Sequence, residues 1–258
     1  MSRGVLLINL GTPNQCDVKS VKTYLAQFLT DKRVIDLPAL TRFILVYLVI
    51  LPFRSKKSAH AYKTIWTPQG SPLLVHSQDT AASLQEFLGP EFKIALGMRY
   101  GTPSIATALA ELGKCESITI LPLYPQYSSA ATGSSLEEVL RILMGQEVIP
   151  FLTLIRDFYQ HPAYIKAQST HIKTQKIEDS HLLFSYHGLP ERQINKSGCK
   201  TVCSEECPQI SILNQGCYKA QCYQTSRLLA ENLGLNSSQY STAFQSRLGK
   251  TPWIRPYT

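Results

Sequence analysis

Short apolar runs alternate along this chain with segments in which apolar residues recur at helical spacing. The first run, residues 4–10, is apolar apart from Asn9 and stops at Gly11, a pattern typical of a buried strand that ends in a turn. Asp17 then stands where it can cap a helix whose apolar positions begin at Val18. Similar patterns predict strands over residues 93–98 and 117–123, with a helix over residues 105–112 between them.

The alternation starts again after a break near residues 148–150. The predicted elements of this second half are a helix over residues 164–176, a strand over residues 181–186, a helix over Tyr218–Leu233 that ends at Gly234, and a strand over residues 241–245. Strands that alternate with helices indicate parallel sheets with right-handed crossovers. We therefore predict an α/β fold with two doubly wound, Rossmann-like parallel-sheet domains, residues 1–150 and residues 151–258.

One apolar stretch, residues 43–53, allows two interpretations. Its eleven residues are too few to cross a bilayer, which takes about 20. The stretch either forms a buried helix or lies exposed as a lip on an anionic membrane surface. Basic residues at Arg42, Arg54 and Lys56 flank it and suit the second interpretation, in which residues 42–57 make a peripheral membrane contact.

Charge and cysteine content narrow the function. The net charge of +8 suits an acidic partner, but the basic residues are scattered without a long run, which argues against nucleic-acid binding. The N-terminus carries no signal-peptide pattern, so we expect a cytoplasmic protein with reduced thiols. Five of the seven cysteines lie between residues 199 and 222, and such clustering favours a metal site over disulfides.

The loops that follow the predicted strands are where ligands bind in such sheets. None of them carries a G-x-G-x-x-G or Walker pattern, and carboxylates are scarce, so a nucleotide site or a paired-carboxylate hydrolase is not indicated. His187 follows a strand and precedes Gly188. An imidazole there can exchange protons near neutral pH and bind divalent metals, although a lone histidine is also compatible with a purely structural role. No second histidine accompanies it at zinc-site spacing.

The clustered cysteines have the spacing C-x3-C-x3-C-x9-C over residues 199–217, with Cys222 following. Four thiolates in one loop can close around iron or zinc. The alternative is that these thiols bind nothing. The spacing lacks the C-x2-C pair of common zinc knuckles, so the type of metal stays open at this point.

Several sequence blocks resemble the ferrochelatases and follow one another in the order found in that family. The blocks are residues 4–13, 69–73, 121–128, 132–135, 185–192 and 244–253. The resemblance implies two similar α/β domains that enclose a porphyrin cleft. It also implies a lyase that inserts ferrous iron into protoporphyrin IX to give protoheme, the last step of heme biosynthesis. Cobalt insertion is a rival activity, but those chelatases usually offer more histidines at the metal.

The resemblance also assigns site residues. The histidine of the Ser-Tyr-His-Gly-Leu-Pro block is the family's essential cleft residue, and His187 matches it. The resemblance thus implies that His187 is catalytic and handles the substrate iron. Positions near the porphyrin are matched by Leu10, Tyr62, Ser71, Tyr124 and Trp253. The block resembles the form in Gram-negative bacteria, for which protoporphyrin IX is the expected substrate. We expect membrane contact through residues 42–57 to be peripheral, at the inner membrane.

Two departures from the family pattern carry expectations of their own. Ferrochelatases usually continue about 60–80 residues past the block that contains Trp253, so we expect the second domain to be incomplete and to lack a glutamate that works opposite the histidine. The alternative function is then a catalytically impaired fragment that binds an iron–sulfur cluster or heme. The other departure is the cysteine-rich insertion. Resemblance to cluster-bearing members implies a two-iron, two-sulfur cluster on Cys199, Cys203, Cys207 and Cys217, with Cys222 as an alternate ligand.

Overall fold

The computed structural model describes residues 2–175, 180–199, 201–204, 206–247 and 251–258. The chain divides into two compact units. The first contains residues 1–124 and 129–156, and the second contains residues 125–128 and 157–258.

The first unit is built on a four-stranded parallel sheet with the order β2-β1-β3-β4. Its strands are β1 (Arg3–Thr12), β2 (Phe92–Gly101), β3 (Ser117–Pro122) and β4 (Phe151–Leu154). Strand β1 lies in the centre and pairs with both β2 and β3, so Leu6, Leu7 and Ile8 are each no more than 1% exposed. Burial on both faces explains why its sequence is a nearly continuous apolar run and does not alternate.

Helices connect these strands and cover the sheet. They are α1 (Val18–Thr30), α2 (Ala39–Ile44), α3 (Leu51–Ile65), α4 (Pro72–Leu88), α5 (Ile105–Glu111) and α6 (Ser134–Leu143), with π-helical stretches at Leu45–Ile50 and Ser129–Gly133. Asp17 caps α1 as expected, because its carboxylate accepts the backbone N–H groups of Lys19 and Ser20. The core packs α5 and α6 against β1 and β3 through residues such as Leu109, Ile120 and Val139.

The segment from α2 to α3 is largely exposed, which contradicts the buried-helix interpretation of residues 43–53. Only Val46 and Leu51 of this stretch are buried, and they pack with Leu29 of α1. The exposed apolar side chains include Phe43 at 54%, Leu48 at 65% and Phe53 at 81%. In the part of the chain that the structure describes, no helix is both long and apolar enough to span a membrane.

The second unit contains a two-stranded parallel sheet of β5 (Leu182–His187) and β6 (Tyr240–Gln245). Its helices are α7 (Pro162–Lys173), α8 (Glu191–Lys196) and α9 (Tyr218–Leu233). Helix α9 ends at Gly234, which adopts a left-handed conformation as the sequence predicts. The core of this unit joins α8, α9 and β6 through Ile194, Ala220 and Phe244.

These elements confirm the predicted α/β class with parallel sheets. The first unit continues to Arg156, past the expected division at residues 150 and 151, because β4 completes the first sheet. The predicted helix over residues 164–176 ends earlier, at Lys173. Its last predicted residue, 176, and positions 248–250 of the block at 244–253 lie outside the described residues.

Candidate functional site

His187 is the last residue of β5, where it pairs with Gln245 of β6, and its side chain is exposed. The imidazole Nδ1 lies 2.7 Å from the carbonyl oxygen of Gly188. Since a carbonyl oxygen can only accept, Nδ1 must carry the hydrogen. In the neutral ring, Nε2 therefore holds the free lone pair, and this is the atom that can accept a proton or bind a metal.

Gly188 allows a close approach around this histidine. A Cβ at this position would lie 2.9 Å from the backbone oxygen of Gln245 and 3.3 Å from Cε3 of Trp253. The Trp253 ring centroid lies 6.4 Å from that of His187, with an interplanar angle of 53°. The missing side chain thus lets the strand end, the imidazole and the indole pack together.

In the first unit, the predicted porphyrin contacts lie around the carboxyl end of β1. Leu10 is half-buried near the end of this strand, and Ser71 is buried where it accepts a hydrogen bond from Thr12 at 2.9 Å. Tyr62 packs edge-on against Tyr24 with centroids 6.4 Å apart. Burial raises the pKa of Tyr62, so its hydroxyl stays protonated at neutral pH.

A cavity of about 540 Å³ opens beside these residues, at the carboxyl ends of β1 and β2 and along α1. Its lining is mostly polar and includes Thr12, Asn14, Thr23, Gln27 and Thr102. Its position agrees with the rule that ligands bind beyond the carboxyl ends of parallel strands. Its size falls in the range of small-molecule sites.

Tyr124 follows β3 and is the most enclosed of the predicted contacts. Burial is the largest cause that raises the pKa of its hydroxyl, and a side-chain hydrogen bond with Ser135 acts in the opposite direction. The hydroxyls of Tyr124 and Ser135 thus lie next to each other in a buried, polar environment.

A buried ion pair that the sequence analysis missed supports this end of the first sheet. Asp31 lies 2.7 Å from Arg99 and accepts hydrogen bonds from Tyr100 at 2.8 Å and Ser134 at 2.5 Å. Burial by itself raises the pKa of Asp31, but the hydrogen bonds, led by that from Ser134, outweigh it and hold the pKa below its usual value. Asp31 and Arg99 are 68 positions apart, so no local sequence pattern indicates that they form a pair.

The structure brings the predicted cysteine ligands together. The thiol of Cys217 makes hydrogen-bonding contacts with Cys207 and Cys199, and Cys203 interacts electrostatically with both of these. Buried Cys222 packs in the same cluster. Each of these cysteines is free of disulfides.

Cys217 also lies at the start of α9, and this affects its ionisation. A hydrogen bond from Cys207, helped by the backbone N–H groups of Ala220 and Lys219, lowers the pKa of Cys217 to about 6. The same contact with Cys217, together with burial, raises the pKa of Cys207. The thiols supply the ligand chemistry of an iron–sulfur cluster, but no three His, Cys, Asp or Glu side chains in the described ranges are arranged to hold a metal ion.

The predicted site residues therefore fall into three groups. His187 and Trp253 pack together in the second unit. Leu10, Tyr62, Ser71 and Tyr124 belong to the first unit. Cys199, Cys203, Cys207, Cys217 and Cys222 form their own cluster on α9 and in the loop between α8 and α9.

A family model and the similar proteins described below point to the same family. The Ferrochelatase family model matches residues 2–258. A Legionella pneumophila (strain Philadelphia 1) protein named Ferrochelatase is 65% identical over 258 residues, which is 100% of this chain and 78% of that protein. A Coxiella burnetii (strain RSA 493) protein of the same name is 50% identical over 262 residues, covering 99% of this chain and 73% of that protein.

These matches confirm the resemblance seen in the sequence blocks. They favour an enzyme over the alternative of a catalytically impaired iron–sulfur or heme-binding protein. The chain belongs to the ferrochelatase family, the lyases that insert ferrous iron into a porphyrin.

Proposed function

We propose that His187 is the catalytic residue with which this chain inserts ferrous iron into protoporphyrin IX, giving protoheme as the last step of heme biosynthesis. The observation that carries the proposal is the contact between Nδ1 and the Gly188 carbonyl, which leaves the Nε2 lone pair free on an exposed ring. An imidazole with an unshared lone pair is suited to accept and release protons.

The reaction exchanges two pyrrole N–H protons for one ferrous ion, so an acceptor for those protons is required. Nε2 of His187 accepts a proton while Nδ1 stays bonded to the Gly188 carbonyl, and this contact also stabilises the imidazolium that forms. The proton then passes to water, since the ring is exposed. Once the first proton has passed to water, the same lone pair is free to accept the second pyrrole proton, and in its unprotonated state it handles the substrate iron. Both roles use Nε2 and are therefore lost together when the imidazole is removed.

The test replaces His187 with alanine and follows heme formation from protoporphyrin and ferrous iron under anaerobic conditions. His181→Ala is the matched control, because His181 precedes the same strand and binds Ser241 at 2.8 Å, away from His187. We expect turnover to be lost in His187→Ala and retained in the control. Turnover near the wild-type rate in His187→Ala contradicts the proposal.

We also propose that Leu10, Tyr62, Ser71, Tyr124 and Trp253 contact the porphyrin. Their support is the family pattern, together with apolar and hydroxyl-bearing side chains that suit a flat, mostly apolar ligand. Trp253→Ala is the informative variant, because its indole packs beside His187. We expect a weaker porphyrin affinity, measured by quenching of porphyrin fluorescence. An unchanged affinity argues against the contact.

The exposed lip supports a further proposal, that residues 42–57 rest on the cytoplasmic surface of the inner membrane. Phe53, Leu48 and Phe43 are exposed apolar side chains, and basic residues such as Arg54 lie next to them. Apolar insertion combined with attraction to anionic lipid is the usual basis of such peripheral contacts.

Vesicle flotation tests the membrane proposal. Phe53→Ser is compared with Phe87→Ser, which removes an equally exposed phenylalanine, 85% against 81%, from α4. Weaker flotation with anionic vesicles only in Phe53→Ser supports the proposal. Equal flotation of both variants and the wild-type protein contradicts it.

The cysteine group supports a second candidate function, the binding of a two-iron, two-sulfur cluster on Cys199, Cys203, Cys207 and Cys217, with Cys222 as an alternate ligand. The favourable observation is that the four thiols gather in one partly buried cluster without disulfides. Since the described side chains do not converge on one point, binding requires local movement of the loop.

Reconstitution with iron and sulfide tests this second candidate. We expect the visible absorption of an iron–sulfur cluster in the wild-type protein and its loss in Cys203→Ser. Cys16→Ser is the control, because Cys16 is a free cysteine of the first unit, whereas the cysteine group belongs to the second. No cluster absorption in the reconstituted wild-type protein contradicts the proposal.

A further inference from the structure

We propose that Tyr218 is a positioning residue for His187, and that it links the cysteine group to the catalytic histidine. The inference rests on the proposed role of His187 and adds a residue that no sequence block assigned. Its basis is a hydrogen bond from the Tyr218 hydroxyl to the backbone carbonyl of His187, with a donor–acceptor distance of 2.9 Å.

The carbonyl of His187 stands at the point where β5 ends. The ladder with β6 closes there with the bond from the Gly188 N–H to Gln245 at 2.7 Å. The next residues leave the sheet, since Leu189 pairs with Ile254 and Glu191 with Pro252. The Tyr218 hydroxyl, which belongs to α9, therefore holds the carbonyl of the peptide that joins His187 to Gly188. The carbonyl of the next peptide, that of Gly188, accepts the hydrogen bond that orients the His187 ring.

The hydrogen bond from Tyr218 and the hydrogen bond to the Gly188 carbonyl both affect the orientation of the His187 imidazole. Tyr218 holds the first peptide after the strand, and the Gly188 carbonyl holds Nδ1 at 2.7 Å. Rotation of the first peptide moves the second carbonyl, because adjacent peptides share the Cα of Gly188. Glycine has no side chain to limit its backbone, so the bond from the Gly188 N–H to Gln245 and the bond from Tyr218 to the His187 carbonyl together restrict this rotation.

Tyr218 is itself well held. It is the first residue of α9 and directly follows Cys217, which occupies the N-cap position. Its partly buried ring packs against the core of the second unit, which also contains Phe244 and Ala220. The buried Cys222 thiol also contacts this hydroxyl.

The same helix start belongs to the cysteine group, because Cys217 contacts both Cys207 and Cys199. Any change that moves Cys217, such as ligand binding by the thiols, shifts the first turn of α9 and with it Tyr218. The cysteine group is thus coupled to His187 through one residue. This coupling gives the insertion a structural route to the reaction without contact with the porphyrin.

The test compares Tyr218→Phe with Tyr223→Phe in the full chain. Both variants remove one hydroxyl from α9, but the Tyr223 ring packs against Phe244 and does not contact His187. We expect Tyr218→Phe to lower kcat about 10-fold or more while the KM for porphyrin stays within about twofold, because the ring is misplaced and the porphyrin contacts remain. Tyr223→Phe should retain the wild-type kcat.

Nitrogen NMR of histidine-labelled protein gives a readout independent of turnover, with the His187 signals identified by their absence in His187→Ala. We expect the wild-type ring to have the hydrogen on Nδ1, and Tyr218→Phe to show a mixture of the two tautomers. Cys217→Ala should shift the same signals. Unchanged His187 signals in Tyr218→Phe, or an equal loss of kcat in Tyr223→Phe, overturn the inference. If His187→Ala retains turnover, the proposed catalytic role fails, whereas the NMR result still decides the positioning role.

Discussion

Substitution of Gly188 by alanine should disturb the candidate site more than the fold. The added Cβ would lie 2.9 Å from the backbone oxygen of Gln245 and 3.3 Å from Cε3 of Trp253, whereas ordinary contacts begin at 3.4 Å. The closest neighbour is a backbone atom of the paired strand, so it cannot turn away as the end of a flexible side chain would. The strand end at His187 and the indole must move apart.

The required movement is the gap between these distances, about 0.5 Å at Gln245. Overpacking of this kind costs about 1–3 kcal/mol of unfolding free energy. Misplacement of a catalytic group by 1 Å costs about 100-fold in rate, so half that displacement predicts a fall in kcat of about 10-fold.

The assay pairs anaerobic heme formation with urea unfolding of the same protein. Gly145→Ala is the matched control, because a Cβ there meets nothing closer than the Ile142 oxygen at 3.5 Å. We expect Gly145→Ala to keep both the wild-type kcat and the wild-type unfolding free energy. If Gly188→Ala loses stability but keeps its kcat, the geometry around His187 does not set the rate and the reasoning fails.

Three further predictions concern contacts within one unit or the other. Asp31→Asn should lower the unfolding free energy by about 1–3 kcal/mol in urea melts, because it leaves partly buried Arg99 without its counter-charge. The pKa of Asp31 is lowered in the folded state, so its contribution is fully present above the unfolded pKa of about 3.9 and is lost as the pH falls through the lower folded pKa; a difference between Asp31→Asn and the wild-type protein that does not shrink with falling pH contradicts this. Thr225→Val should cost about 1–3 kcal/mol, since it removes the acceptor for Gln126 at 2.9 Å, and a neutral result refutes the pairing. Leu6→Ala, at a fully buried position of the central strand, should cost about 2–5 kcal/mol, and calorimetry showing less than 1 kcal/mol is incompatible with the packing described.

The sequence predicted the elements whose signal is local. Strand β1 shows as an apolar run because both of its faces are buried, and α9 shows because its spacing is helical and Gly234 ends it. Strand β4 escaped prediction, since it is four residues long at a sheet edge and Phe151 is 76% exposed. A short edge strand with an exposed face has no periodicity to detect.

The apolar stretch of residues 43–53 shows that composition alone does not determine whether a segment is buried. An apolar run of this length is equally compatible with a buried helix and an exposed one, because burial depends on what packs beside it. Here only Val46 and Leu51 find partners in α1, and the rest of the run faces outward.

The candidate site also contains some residues that the sequence indicated and others that it did not. His187 and Gly188 are adjacent in sequence, so their motif indicated the histidine directly. The Tyr218 hydroxyl lies 31 positions away and the Asp31–Arg99 pair spans 68, and only the fold brings such groups together. Spacing likewise suggested the cysteine group, but it gave no information on which thiols touch.

The most direct test of the account is a single turnover with protoporphyrin already bound. The enzyme–porphyrin complex is mixed anaerobically with ferrous iron, and heme absorbance is followed for the wild-type protein and His187→Ala. If Nε2 of His187 takes the pyrrole proton and handles the iron, the rate in the variant falls about 100-fold or more while the porphyrin stays bound. A variant that metallates its bound porphyrin within twofold of the wild-type rate contradicts the account.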